Sequence, residues 1–256
     1  DAEGYTFMGW STKPMQSVSP QYEAEEKITV NGNVDLYAVV FNRTTETDLT
    51  EDQLPQVDIY KYKQVIFVGD SRTEFMENVL TGMGESATKN VKFVCSAGKG
   101  LDWFTTTGWA QLYSIVQHDS NSILSKKTAV IFNFGVNDLS KSADYAEYYN
   151  WIAPQLKSKG CELYFMSVNP VNRLMLSNAG RADRSEAAVR SFNQYMKANL
   201  SSAYTYIDMY SYLKSTGYSF ASDHYGTGTV DDGLHYTTRT YKRIFAKCMD
   251  SLRVPA

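Results

Sequence analysis

The chain has 256 residues, 43% of them hydrophobic and 21% charged, and carries a formal net charge of −3. That is apolar material for one sizeable core and a small appendage, with no excess of positive charge to draw the chain to nucleic acid or an anionic membrane. No apolar run approaches the roughly 20 residues that span a bilayer, so membrane insertion is not expected.

Residues 1–42 show no helical period. Gly4-Tyr5-Thr6-Phe7-Met8-Gly9-Trp10-Ser11-Thr12, Lys27-Ile28-Thr29-Val30 and Leu36-Tyr37-Ala38-Val39-Val40 read as short strands, with Asn31-Gly32-Asn33 as a turn. The Gly-Tyr-Thr-Phe-x-Gly-Trp opening and the Leu-Tyr-Ala-Val-Val ending resemble the bacterial cell-wall repeat of Listeria and Bacteroides surface proteins, a small β-grasp-like module. The later part of one copy is present. The resemblance implies an extracellular or cell-surface location, and an unrelated β-hairpin is the alternative. The chain starts at Asp1 without a signal-like segment and is expected to be a piece of a longer or processed protein. Residues 43–59, polar and turn-rich, read as a linker to a main domain over 60–256.

From Tyr60 onward strand and helix patterns alternate. Strands are predicted at 64–69, 91–96, 128–134, 161–168 and 204–208, and helices near 73–82, 102–118, 143–159, 181–199 and 236–252. Such alternation gives a parallel sheet covered on both faces, with right-handed crossovers. The fold class expected is α/β: a three-layer α/β/α sandwich around a five-stranded parallel sheet of flavodoxin-like order 2-1-3-4-5, plus the small N-terminal β appendage. Ser215–Leu234 has no periodicity and reads as a long functional loop.

Chemistry gathers where the strands end. The run Val65-Ile66-Phe67-Val68 stops at Gly69-Asp70-Ser71-Arg72, a strand–turn–helix junction that exposes Ser71 where ligands bind in open α/β sheets. Locally, Asp70 or Ser71 as a plain helix N-cap explains it as well. Ser96-Ala97-Gly98-Lys99-Gly100 follows the second strand, Gly135-Val136-Asn137-Asp138 follows the third, and Asp232-Gly233-Leu234-His235 stands near the C-terminus. In this order the four blocks resemble the SGNH hydrolases, or GDSL-type esterases, over residues 62–254. The second block departs from the family pattern, with Cys95-Ser96 where an asparagine usually precedes the glycine.

A serine hydroxyl needs a base within about 3 Å, and among three histidines His235 is the best candidate, with Asp232 to hold its tautomer and Asp231 as a stand-in. The local alternative is an N-cap Asp opening the last helix, with His235 in its first turn. His118 beside Asp119 reads as a helix C-terminal partner, and His224 beside Asp223 as a loop or rim residue. The resemblance implies an oxyanion hole made by the N–H of Ser71, the N–H of Gly100 (Gly98 is possible) and the amide of Asn137; an N-cap pair is the local alternative for Asn137-Asp138. Arg72, where the family commonly has an aliphatic residue, would hold an acidic substrate group or make a surface ion pair. Trp103, Trp109, Tyr218, Tyr225 and Tyr236 are candidates for a sugar-stacking rim, or for packing.

Cys95, Cys161 and Cys248 form no CxxC pair and read as small buried hydrophobes. No two histidines have zinc-ligand spacing, and neither metal nor cofactor is expected. The reading is a secreted or surface-attached serine esterase acting on a small acyl ester, an O-acetyl group on a carbohydrate. The alternatives are a non-catalytic glycan- or protein-binding module and an acyltransferase.

Overall fold

The computed structural model describes residues 4–14, 19–119, 126–178, 184–222 and 231–253. Its centre is a five-stranded parallel sheet of β3 (Tyr62–Gly69), β4 (Val91–Cys95), β5 (Lys127–Asn133), β6 (Cys161–Met166) and β7 (Tyr204–Ile207), preceded by an antiparallel hairpin of β1 (Tyr5–Ser11) and β2 (Tyr37–Asn42). The sheet order is β4-β3-β5-β6-β7, the expected 2-1-3-4-5.

Burial on both faces explains the continuous apolar runs Val65–Val68 of β3 and Ala129–Phe132 of β5, two of the inner strands. Along β3, Val65 and Phe67 enter one core while Ile66 and Val68 enter the other. The Ile66 side is covered by α4 (Ser142–Ser158), by α6 (Glu186–Asn199) and by a helix that starts as α2 (Leu101–Trp103), passes through a π-turn at Phe104–Gly108 and continues as α3 (Trp109–Asp119). The Val65 side is covered by α1 (Ser71–Met83), α7 (Met209–Thr216) and α8 (Thr238–Ser251). α5 (Arg173–Asn178) leads from β6 toward α6. The π-turn forms where Gly108 lets Trp103 and Phe104 close in; a Cβ there would sit 2.7 Å from the Trp103 ring.

The hairpin joins the second core through Met8, Val39 and Phe41. Phe41 packs on Gly217, whose φ of +81° suits glycine and where a Cβ would lie 2.2 Å from the phenyl ring. Lys27–Val30, expected as a strand, joins no ladder, and Val30 stays 49% exposed; the bridge outside the hairpin is instead made by Tyr22 to Trp10. In residues 43–59, two 3₁₀ turns, Arg43–Thr45 and Glu51–Gln53, precede Leu54 and Val57, which reach the second core.

The long loop read over Ser215–Leu234 is shorter than expected. α7 runs to Thr216, and β8 (Phe220–Ser222) pairs antiparallel with β9 (Asp231–Tyr236). Each strand is too short for its alternation to register, and the pair is fixed by a long-range contact, Phe220 stacked on Tyr236 at 5.4 Å. Residues 223–230 lie outside the description. α8 then starts at Thr238, two residues later than predicted, because Thr237 is its N-cap and accepts the Thr240 N–H.

Gly69 ends β3 with no room for a side chain: a Cβ would fall 2.0 Å from Thr73 Oγ1 and 2.8 Å from the Asn133 carbonyl. Gly69→Ala should therefore lower stability by about 1–3 kcal/mol, read as a drop in urea midpoint at unchanged slope. A neutral substitution would mean that α1 can shift away from the sheet.

Candidate active site

The first block closes the central strand. Asp70 is the N-cap of α1, its Oδ1 accepting the Arg72 N–H at 3.0 Å. Ser71 is thus the first helical residue, 5% exposed, at the carboxyl end of β3 between β4 and β5. Its backbone N–H is among the helix-start donors with no intrahelical acceptor, where the helix dipole favours negative charge. The N-cap reading of Gly-Asp-Ser holds for Asp70, and capping is what orients Ser71.

Asp232 and His235 arrive on β9. Ser71 Oγ lies 2.8 Å from His235 Nε2, and His235 Nδ1 lies 2.5 Å from Asp232 Oδ2. Asp232 Oδ1 also accepts the N–H groups of Leu234 and His235, both at 2.7 Å. This fold-back turns at Gly233, with φ of +70°, where a Cβ would lie 2.6 Å from the Asn172 carbonyl. Burial by itself would raise the Asp232 pKa, but the imidazole and the two backbone donors outweigh it, and the carboxyl is held below its usual range. His235 is 2% exposed, and its ring meets Phe75 edge-on at 4.8 Å. It belongs to a strand, which removes the expectation of a histidine in the first turn of the last helix.

The second and third blocks leave β4 and β5 on either side of β3. Gly100 is extended, directly before α2, and a Cβ would fall 2.4 Å from Asp138 Oδ2. Asp138 accepts the Leu101 N–H at 2.9 Å and the Tyr145 hydroxyl at 2.7 Å, so it ties the two loops together. The Asn137 amide donates to the Lys99 carbonyl at 2.8 Å and accepts from Arg184 Nη2 at 3.0 Å. Neither side chain caps the turn that follows it: Asp138 occupies the N-cap position of a 3₁₀ turn without a capping bond there, and serves the first N–H of α2 instead. Gly98, φ +69°, is an exposed turn with nothing within 4 Å of a Cβ.

Arg72 overturns both expectations for it. It is 2% exposed and donates through Nε to the Leu234 carbonyl at 2.9 Å, through Nη1 to Asn169 at 2.9 Å and through Nη2 to Pro170 at 2.8 Å, above the Tyr236 ring. A guanidinium so enclosed is neither a surface ion pair nor a cation open to substrate. Tyr218 and Tyr236, expected at a rim, are buried core residues. Trp103 is half-buried, tilted against Phe134 at 6.1 Å, and Trp109 packs on Tyr113. Asp223, His224 and Tyr225 lie outside the described residues, as does the side chain of His118.

Two site residues escaped the sequence. Phe75 stands four residues after Ser71, the spacing that puts both on one helix face, so it was recoverable. Arg184 reaches Asn137 from 47 residues away, with no local signal.

Residues 65–248 match the family model described as GDSL-like lipase/acylhydrolase. No curated protein matches the sequence. Several solved structures are similar. A candidate SGNH hydrolase from Slackia heliotrinireducens is 12% identical over 75% of this chain and 100% of its own, with a TM-score of 0.50. An acetyl xylan esterase is 12% identical over 74% and 99%, with a TM-score of 0.48. The C-terminal catalytic domain of Streptococcus pneumoniae peptidoglycan O-acetyltransferase A is 17% identical over 75% and 94%, with a TM-score of 0.44. At these identities the likeness is one of fold.

Burial pushes the Asp70 carboxyl up to about 7, against the opposing pull of Arg72. A folded-state pKa above the unfolded one stabilises the fold at low pH, and that stabilisation is lost as pH rises through 7. Asp70→Asn keeps a cap acceptor and removes the titration. The melting temperature of Asp70→Asn relative to wild type should therefore rise between pH 5 and 8, by on the order of a few kcal/mol in stability. A difference flat with pH would show Asp70 charged throughout.

Proposed function

Because the chain belongs to the GDSL-like lipase/acylhydrolase family and is a serine ester hydrolase, we propose that it removes a small acyl group, an O-acetyl ester on a carbohydrate, through an acyl-enzyme on Ser71. The observation that carries this reading is the continuous relay Ser71 Oγ, His235 Nε2, His235 Nδ1, Asp232 Oδ2.

In the proposed mechanism His235 Nε2 takes the Ser71 proton as Oγ attacks the ester carbonyl, and Asp232 fixes the tautomer and stabilises the imidazolium. The carbonyl π electrons move to oxygen, giving a tetrahedral oxyanion. Its donors are the N–H of Ser71, the N–H of Gly100 and an amide hydrogen of Asn137. The Asn137 bonds to Lys99 and Arg184 support the role, because they hold the amide while leaving one N–H unused by Lys99. The oxyanion collapses, the C–O bond to the alcohol breaks, and His235 protonates the leaving oxygen. Water, deprotonated by the same imidazole, then attacks the acyl-enzyme and frees Ser71.

The carbohydrate and the location outside the cell or on its surface are inferred from the likeness of residues 4–12 and 36–40 to a cell-wall repeat. In this reading residues 1–42 are part of a surface module, 43–59 connect, and 60–256 are the hydrolase domain. Trp103, half-exposed one turn past Gly100, serves the alcohol side. Among the described residues no helix is long and apolar enough to cross a membrane, and no cluster of His, Cys, Asp and Glu is arranged to hold a metal.

A screen of acetylated polysaccharides for acetate release tests the substrate, with p-nitrophenyl acetate as the minimal ester. Ser71→Ala and His235→Ala should each abolish most turnover, Asp232→Asn should leave more, and the Ser71/His235 double mutant should be little worse than either single one. Additive losses would count against a shared step. Asn137→Ala should lower kcat about 100- to 1000-fold, some 3–4 kcal/mol, with KM little changed. Near-normal kcat in a destabilised Asn137→Ala protein would remove it from the oxyanion hole.

A further inference from the structure

A cavity of about 560 Å³, with neither Ser71 nor any residue of the Asp232–His235 turn in its lining, lies between the N-terminal hairpin and the segment Val171–Arg173 that follows β6. Met8, Val39 and Phe41 are buried, and a bulge between Phe7 and Gly9 shifts the alternation of β1, so that Tyr5, Phe7, Trp10 and Val40 share the other face. Those four line the cavity, and Phe220 and Arg173 stand among its other walls. Tyr5 and Trp10 keep 39% and 37% of their surface exposed, large aromatic faces held open by the fold.

Polar groups sit at fixed points among these rings. Glu25 is held in the left-handed region, φ +62°, uncommon for a residue with a side chain, and its Oε1 accepts from Arg173 Nη1 at 3.3 Å. An apolar lining with a few oriented polar groups, at the junction of two structural units, is the usual make-up of a small-molecule site. The choice of ligand follows from the mixture. A sugar ring offers apolar C–H faces to aromatic side chains and a rim of hydroxyls to a planar carboxylate and guanidinium. An acyl chain would strip water from Glu25 and Arg173 and return no hydrogen bond.

Two lining residues of the cavity contact β9, the strand that carries Asp232 and His235. The Asn172 N–H, at its wall, donates to the Gly233 carbonyl at 2.8 Å, inside the Asp232–His235 turn. Phe220 stacks on Tyr236, the residue after His235. We propose that this cavity is a carbohydrate subsite, in which Trp10 and Tyr5 stack on sugar rings, the Glu25–Arg173 pair takes their hydroxyls, and a neighbouring ring of the same glycan carries the ester to Ser71. The proposal rests on the carbohydrate esterase reading for its link to Ser71, and not for the binding itself.

The test measures binding of unacetylated xylohexaose, chitohexaose and mannohexaose to the full chain carrying Ser71→Ala, by tryptophan fluorescence and calorimetry. At least one should bind saturably. Trp10→Ala should weaken it by about tenfold or more, and Trp10→Tyr, which keeps an aromatic face, by no more than ~3-fold. Arg173→Ala, on the opposite wall, should also weaken it, so the outcome does not hang on one variant folding. Binding by none of the three, binding indifferent to both Trp10→Ala and Arg173→Ala, or displacement of the bound sugar by octanoate would overturn the subsite. The two readings fail separately: Trp10-dependent binding without acetate release from any polysaccharide keeps the subsite and removes the carbohydrate esterase, whereas acetate release without Trp10-dependent binding does the reverse.

Discussion

Arg72 follows Ser71 on α1 and reaches, through Nε, the carbonyl of Leu234, the residue before His235. Through Nη1 and Nη2 it also holds the carbonyls of Asn169 and Pro170 after β6. One buried guanidinium thus joins the three segments that must meet for Ser71 to face His235, and the chain separation it spans is 162 residues. Burying a cation is costly unless its donors are met. Three carbonyls, the Tyr236 ring and the field of Asp70 meet that requirement here. The charge of Arg72 in turn opposes the rise in the Asp70 pKa, so the cap that orients Ser71 and the cation that holds the Leu234 carbonyl are electrostatically one unit.

The hairpin and residues 43–59 are tied down by charge as well as by apolar contact. Glu46, 5% exposed, pairs with Arg243 at 3.0 Å beside α8, and Asp48 pairs with Lys242 at 2.7 Å. Lys214 on α7, 4% exposed, holds both Glu23 at 2.8 Å and the Met8 carbonyl. Glu46–Arg243 is buried on both sides, and removing one of its partners leaves an uncompensated charge, a loss of about 3–5 kcal/mol. Glu46 and Asp48 thus tie residues 43–59 to α8, and Lys214 ties β1 and Glu23 to α7.

Much of this was legible in the sequence because the information is local. Runs such as Val65-Ile66-Phe67-Val68 and Ala129-Val130-Ile131-Phe132 are apolar at every position, as strands buried on both faces must be, and each ends at a glycine or a short polar turn. The four blocks could be read for the same reason: each lies at the end of such a run or within a few residues of the last helix. What stayed hidden depends on contacts between distant residues. β8 and β9 are held by Phe220 on Tyr236, and Arg72 is buried by carbonyls from two other segments, so nothing near Arg72 in sequence distinguishes it from a surface arginine. Lys27–Val30 failed for the opposite reason: its composition suits a strand, but among the described residues no strand pairs with it.

The fold-back at Gly233 has a mechanical meaning. Asp232 binds the backbone of Leu234 and His235 as well as the imidazole, so the imidazole and its carboxylate partner form a cassette only four residues long. The third partner, Ser71, belongs to another element, and α1 meets the cassette through Arg72, the Phe75 ring against the imidazole and the contact from Nε2 to Oγ. The geometry between imidazole and carboxylate is thus set within one turn of chain, whereas the geometry between imidazole and hydroxyl is set by how α1 and β9 meet.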